Sequence, residues 1–234
     1  MTERLRLYFA HECEECPDCG EPVCPRCEEH YADCPCPGPA NAEELGWKLT
    51  PQECMRHFVG KALADEVRII AENTGKPVAE EWLVAFRERR NTELMRALQP
   101  IRNIAAAVAQ LHAAYGGRIA CASGADRHKV EIQLRKCGLI EFFEGRIFSG
   151  YEMPRSKPAP DVYLAAAAAL GVDPRRCAVV EDTVTGATAG VAAGATVFGY
   201  SPPEAGHDAP DPLRAVGVHT IFTDMADLPG LLLG

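Results

Sequence analysis

Basic charge is scarce at the start of this sequence. Residues 1–46 carry three bases (Arg4, Arg6 and Arg26) against eleven acids, a net of −8 out of −9 for all 234 residues. The remainder is nearly neutral. Neither part has the cationic footprint that a phosphate backbone selects, so nucleic acid is not an expected partner. Long apolar runs are lacking too. None approaches the roughly 20 residues of a membrane-spanning helix, so no membrane association is expected. The opening residues, Met1-Thr2-Glu3-Arg4-Leu5-Arg6, have neither the apolar stretch nor the cleavage site of a secretory signal. The expected compartment is therefore the cytoplasm. What is present, 47% hydrophobic residues, is ordinary for a globular protein. At this length it can form a sizeable core, as one large domain or a main domain with a small module.

Cysteine is abundant but unevenly placed. Seven of the eleven lie between Cys13 and Cys36, and Cys54, Cys121, Cys137 and Cys177 are scattered. In a reducing compartment a dense cluster reads as metal ligands before disulfides. Cys16-Pro-Asp-Cys19-Gly and Cys24-Pro-Arg-Cys27 are each a knuckle, two thiolates on a tight turn that can reach one tetrahedral Zn²⁺. The gap between the knuckles is short, so Cys34, Cys36 and His30 are alternative ligands. Four protein ligands leave no open position, which makes such a zinc structural. The acidic head could also bind a protein partner. Pro35-Cys36-Pro37-Gly38-Pro39 reads as a linker after it.

From residue 41 the pattern is first helical. Thr50-Pro51-Gln52-Glu53 is a capping box with Pro at the first helical position. Helices are expected at about 62–73, 79–98 and 104–115, the first ending at Thr74-Gly75. Strands then alternate with helices. Expected strands are 118–122, 146–149, 177–180, 196–198 and 219–222; expected helices are 126–137, 161–170 and 186–193. This alternation indicates a parallel α/β sheet, whose ligands bind at the carboxyl ends of the strands. Ser123 and Glu181-Asp182 stand at two such ends. Alone, Ser123 reads as a helix cap and Lys157 as a solvated loop charge. His112, His128 and His219 read as ordinary core or surface histidines, and Lys61 as solvated.

Three segments together resemble a known family. Cys121-Ala-Ser-Gly124, Arg155-Ser-Lys-Pro-Ala-Pro-Asp161 and Val179-Val-Glu-Asp-Thr-Val-Thr-Gly-Ala-Thr-Ala-Gly190 are similar to motifs II, III and IV of the haloacid dehalogenase-like (HAD) hydrolases. The helical-cap subfamily of phosphoglycolate phosphatase and β-phosphoglucomutase is the nearest match, over about residues 43–228. The resemblance implies a Rossmann-like parallel sheet at 101–234, a helical cap at 41–100 and, outside it, the Cys-rich module at 1–40. It also implies a phosphatase acting on a small phosphorylated metabolite. Phosphoryl transfer mostly requires positioning and charge neutralisation. By resemblance, Ser123 and Gly124 would hold phosphoryl oxygens, Lys157 would supply a fixed positive charge, and Glu181 and Asp182 would hold Mg²⁺.

The family's first motif, an apolar strand followed by Asp-x-Asp, has no counterpart in the sequence. That motif supplies the nucleophile and the acid–base group, so an inactive HAD-like protein with a partner-binding zinc head is the alternative expectation. The missing strand belongs between the strands ending at Ser123 and Asp182. Its omission leaves a gap of about 10 Å, two strand spacings. Leu5-Arg-Leu-Tyr-Phe-Ala10 is the one upstream segment that could fill it, which would bring His11 and Glu12 to the strand ends.

Overall fold

The computed structural model describes residues 14–15, 22–23, 44–49, 53, 57, 63–203 and 208–234. The zinc-ligand candidates Cys16, Cys19, Cys24, Cys27, His30, Cys34 and Cys36 lie outside the described residues, as do segment 5–10, Lys61 and Thr50-Pro51-Gln52. Strands β1 (Glu14–Glu15) and β2 (Pro22–Val23) pair antiparallel, with Glu14 opposite Val23. The chain divides into two compact units between Arg96 and Ala97.

In the first unit, α1 (Leu63–Thr74) is followed by α2 (Glu80–Ala97). Leu83, Phe86, Arg90 and Leu94 of α2 are buried. Their spacing of three and four residues puts them on one face of the helix. Glu80 and Glu81 sit at its amino end, where the helix dipole favours acids. Trp82 stacks on Phe86 with ring centroids 5.3 Å apart, and its indole N–H donates to Glu44 at 3.1 Å.

The second unit alternates strands and helices. In order these are α3 (Ile104–Ala114), β3 (Cys121–Ser123), α4 (Arg127–Lys136), β4 (Ile147–Ser149), α5 (Asp161–Leu170), β5 (Ala178–Glu181), α6 (Val184–Ala192), β6 (Thr196–Tyr200), α7 (Pro210–Ala215), β7 (Thr220–Phe222) and α8 (Leu228–Leu233). The described strand pairs in this unit are parallel. Among the described residues they form two ladders, β3–β4 and β5–β6–β7. Two apolar clusters cover the strands. One gathers Val108 and Leu111 of α3, Val130 and Leu134 of α4, Val180, Phe198 and Leu228. The other gathers Val162 and Ala166 of α5, Val179, Val197 and Ala187 of α6. Adjacent residues Val179 and Val180 thus face opposite clusters. A strand buried on both faces must be continuously apolar, as Ala178-Val179-Val180 is.

The glycines of α6 set its distance from the sheet. A Cβ on Gly190 would lie 2.8 Å from Val197 Cγ2 and 3.1 Å from Val179 Cγ1. A Cβ on Gly186 would overlap the Glu181 carboxylate. Side chains at either position would push the helix off the strands that carry the site.

Local differences from the sequence expectation have physical causes. Helix α6 starts at Val184 rather than Gly186, because Thr183 Oγ1 accepts the Gly186 N–H at 3.1 Å and caps it. Strand β3 pairs at 121–123, three residues later than the expected start, since the 118–120 backbone is spent on the turn after α3. The short helices α7 and α8 were not expected. Each has proline at its amino end, a residue that suits the first helical turn but otherwise reads as loop.

Candidate functional site

Ser123, Lys157, Glu181 and Asp182 come together at the carboxyl ends of β3 and β5. Ser123 is the last residue of β3 and is buried. Its hydroxyl accepts the Ala125 N–H at 3.1 Å, folding the chain into a tight turn over Gly124. It is not the helix cap. Asp126 fills that position, with Oδ1 accepting the Lys129 N–H at 2.9 Å. The turn is also tied to β4, because Ser149 Oγ donates to Ala125 O at 2.7 Å. Gly150 packs against this turn as well, its Cβ position only 3.4 Å from Gly124 Cα.

Lys157 arrives on the loop between β4 and α5. Arg155 and Asp161 close that loop on itself with an ion pair of 2.9 Å. The Lys157 side chain is 4% exposed and ends against a Glu181 side chain that is 0% exposed, with Nζ to Oε1 at 2.7 Å. Lys157 Nζ also donates to Ala122 O at 3.3 Å. A single ammonium therefore bridges the ends of the two ladders. It lies 4.8 Å from the centroid of the Tyr163 ring, a cation–π contact. The Tyr163 hydroxyl donates a short hydrogen bond to the same Oε1 of Glu181.

The other Glu181 oxygen is engaged by the Asp182 N–H at 3.1 Å and the Thr183 hydroxyl at 3.4 Å. Burial would raise the Glu181 carboxyl, but the Lys157 charge and the hydrogen bonds from Lys157, Tyr163 and Asp182 outweigh it and hold the group below its ordinary range. Tyr163 is pushed in the other direction. Burial, and then the adjacent Glu181 charge, raise its phenol well above the usual value. The Glu181 carboxylate, saturated by protein donors, thus anchors Lys157. A cation reading of this pair rests on Asp182, which is buried beside it.

Asp182 begins the turn into α6. Its carbonyl accepts the Asp208 N–H at 3.1 Å, and Asp208 Oδ2 accepts the Val184 N–H at 2.6 Å. Asp208 thereby satisfies a donor at the amino end of α6, where a negative charge is favoured. Among the described residues no group of three or more His, Cys, Asp or Glu side chains gathers at metal-binding distance. A single carboxylate still fits Mg²⁺, which is commonly held by one or two carboxylates together with substrate phosphate oxygens and water.

Three participants were not singled out from the sequence: Tyr163, Ser149 and Asp208. Tyr163 follows Lys157 on the buried face of α5, and its only early signal was a polar tip among alanines. Asp208 lies in a Pro-rich stretch that carried no pattern. His112 packs on Phe142, and His219 lies beside Phe198.

The family model for haloacid dehalogenase-like hydrolases matches residues 38–194. A 6-phosphogluconate phosphatase of Escherichia coli K12 is 28% identical over 193 residues, covering 81% of this chain and 82% of the relative. A HAD family hydrolase of Deinococcus radiodurans, solved with bound phosphate and sodium, is 31% identical with a TM-score of 0.64, covering 83% of this chain and 85% of that one. A structure from Haemophilus somnus described as a predicted phosphoglycolate phosphatase shares the fold, with a TM-score of 0.64 at 18% identity over 82% and 87% of the two chains.

Proposed function

The chain belongs to the haloacid dehalogenase-like hydrolases, and from that premise we propose that its strand-end site binds and hydrolyses the phosphomonoester of a small metabolite with Mg²⁺. One observation carries the reading. The Lys157 ammonium is held in fixed position by Glu181 and Ala122 O, beside Ser123 and Asp182. A buried, preorganised cation costs no reorganisation when phosphoryl charge arrives, which is what electrostatic stabilisation of phosphoryl transfer requires. Ser123 and the turn at Gly124 offer a hydroxyl and backbone N–H groups to phosphoryl oxygens. Lys157 neutralises charge on the transferred group, and Glu181 and Tyr163 position Lys157. Asp182 would hold Mg²⁺, which when bound polarises a phosphoryl oxygen. The similarity to named phosphatases of small phosphorylated metabolites supports this substrate class.

A second reading is favoured by the absence of Asp-x-Asp from the sequence. In it the site binds phosphate without turnover, and the Cys-rich head at 1–40, with a structural Zn²⁺, recruits a protein partner. Phosphate release from a panel of phosphomonoesters with Mg²⁺ separates the two. Turnover by the wild type that is lost in Asp182→Asn and Lys157→Ala is the expected result. Silence of folded wild-type protein across the panel would transfer the assignment to the second reading.

A further inference from the structure

Asp208 grips the turn that presents Asp182 from both sides. Its N–H donates to Asp182 O at 3.1 Å, and its Oδ2 accepts the Val184 N–H at 2.6 Å. Thr183 is the one residue between these two points, and α6 starts immediately after it. Asp208 lies 24 residues beyond Val184 in the chain, so the contact is made by the fold rather than by local sequence. Its own anchor is the sheet. Ser201, buried just past the end of β6, donates its N–H to Phe222 O of β7 at 2.9 Å and its hydroxyl to Asp208 O at 2.9 Å. Hydrogen bonds therefore run from the end of β7 through Ser201 and Asp208 to Asp182.

The other side of the turn is held separately. Glu181 Oε2 accepts the Asp182 N–H at 3.1 Å and the Thr183 hydroxyl at 3.4 Å. Asp182 is thus fixed at its N–H by Glu181 and at its C=O by Asp208, which sets the point from which its carboxylate projects. Charge adds to this geometry. The amino end of α6 carries partial positive charge, which opposes a cation held two residues earlier. Thr183 already supplies the usual side-chain cap, through the Gly186 N–H. The Asp208 carboxylate on the Val184 N–H adds a full negative charge to that end and offsets the opposition. We infer that Asp208 is a positioning residue for Asp182, fixing its turn and favouring a divalent cation there. The inference rests on the cation reading of Asp182 given above.

Mn²⁺ binding to the full chain, read by electron paramagnetic resonance without any substrate, tests it. The quantity compared is the binding that Asp182→Asn removes. Asp208→Ala loses both the hydrogen bond and the charge, and is expected to weaken that binding about tenfold or more, as loss of a partner behind a metal ligand does. Asp208→Asn keeps an oxygen for the Val184 N–H and loses only the charge, so a weakening of about two- to fivefold is expected, the size of a charge effect at a helix end. A merely structural role would lower the melting temperature of both variants and leave the affinity unmoved. Wild-type affinity in either folded variant would overturn the inference. Absence of Asp182-dependent binding in the wild type would instead refute the cation reading itself, and the inference with it.

Discussion

Two ion pairs of nearly equal length behave differently in the two units. In the helical unit, Arg68 and Glu72 meet at 2.9 Å with side chains 60% and 59% exposed. The side chains of Arg87–Glu80 and Arg89–Glu44 are 40–71% exposed. In the α/β unit, Lys157 and Glu181 meet at 2.7 Å and both are buried. Water and salt screen the first group, whose pairs contribute about 0–1 kcal/mol each. The buried pair has been taken out of water, so removal of one partner leaves an uncompensated charge and costs about 3–5 kcal/mol. The lesson is that these ion pairs of the helical unit are surface chemistry, while the α/β unit spends desolvation energy to hold one ammonium at the strand ends. Such a pair is weak evidence of a stabilising role, since an apolar pair of similar volume often serves as well. The cost is consistent with a binding site for an anion.

Substitutions can sharpen or break this contrast. Glu181→Ala should have the largest effect, a loss of about 3–5 kcal/mol in denaturant unfolding, because it strands Lys157. Tyr163→Phe keeps the ring and removes the hydroxyl donor to Glu181. A hydrogen bond to a charged group is worth about 1.5–3 kcal/mol, so a loss in that range is expected in the same measurement. Gly186→Ala should cost about 1–3 kcal/mol, because its methyl overlaps the Glu181 carboxylate and forces α6 or the carboxylate to move. Arg68→Ala, on the exposed face of α1, should change stability by less than about 1 kcal/mol, and less still at high salt. A large effect at Arg68, or none at Glu181, would erase the contrast between the units.

The buried carboxylate also gives a pH signature. The Glu181 group is held below its ordinary value of 4.5, so the folded state binds its proton less readily than the unfolded chain does. Its contribution is present above pH 4.5 and is lost as pH falls through the lower folded value. Thermal melts of wild type should therefore fall more steeply below pH 4.5 than those of Glu181→Gln. Parallel curves for the two proteins would contradict the coupling.

The candidate site residues stood out in the sequence because they sit in short runs at strand ends. Ser123 and Glu181-Asp182 each follow an apolar strand, and Lys157 stands between two prolines. Strand alternation located the five described strands of the α/β unit to within about three residues. Tyr163 was not legible, because its role depends on Glu181, eighteen residues away along the chain, arriving at its hydroxyl. The distinct roles of Glu181 and Asp182 were equally hidden. Adjacent carboxylates look alike in a sequence, and only the fold shows Lys157, Tyr163, Thr183 and the Asp182 N–H converging on the first of them.

The central claim is that the buried Lys157 builds an anion site at the ends of β3 and β5. Calorimetric titration of orthophosphate in the presence of Mg²⁺ into wild type, Lys157→Met and Arg68→Ala, each first shown to be folded by circular dichroism, tests it most directly. Saturable binding to wild type and Arg68→Ala, with loss in Lys157→Met, is the predicted result. Equal binding by all three, or none by the folded wild type, would contradict it.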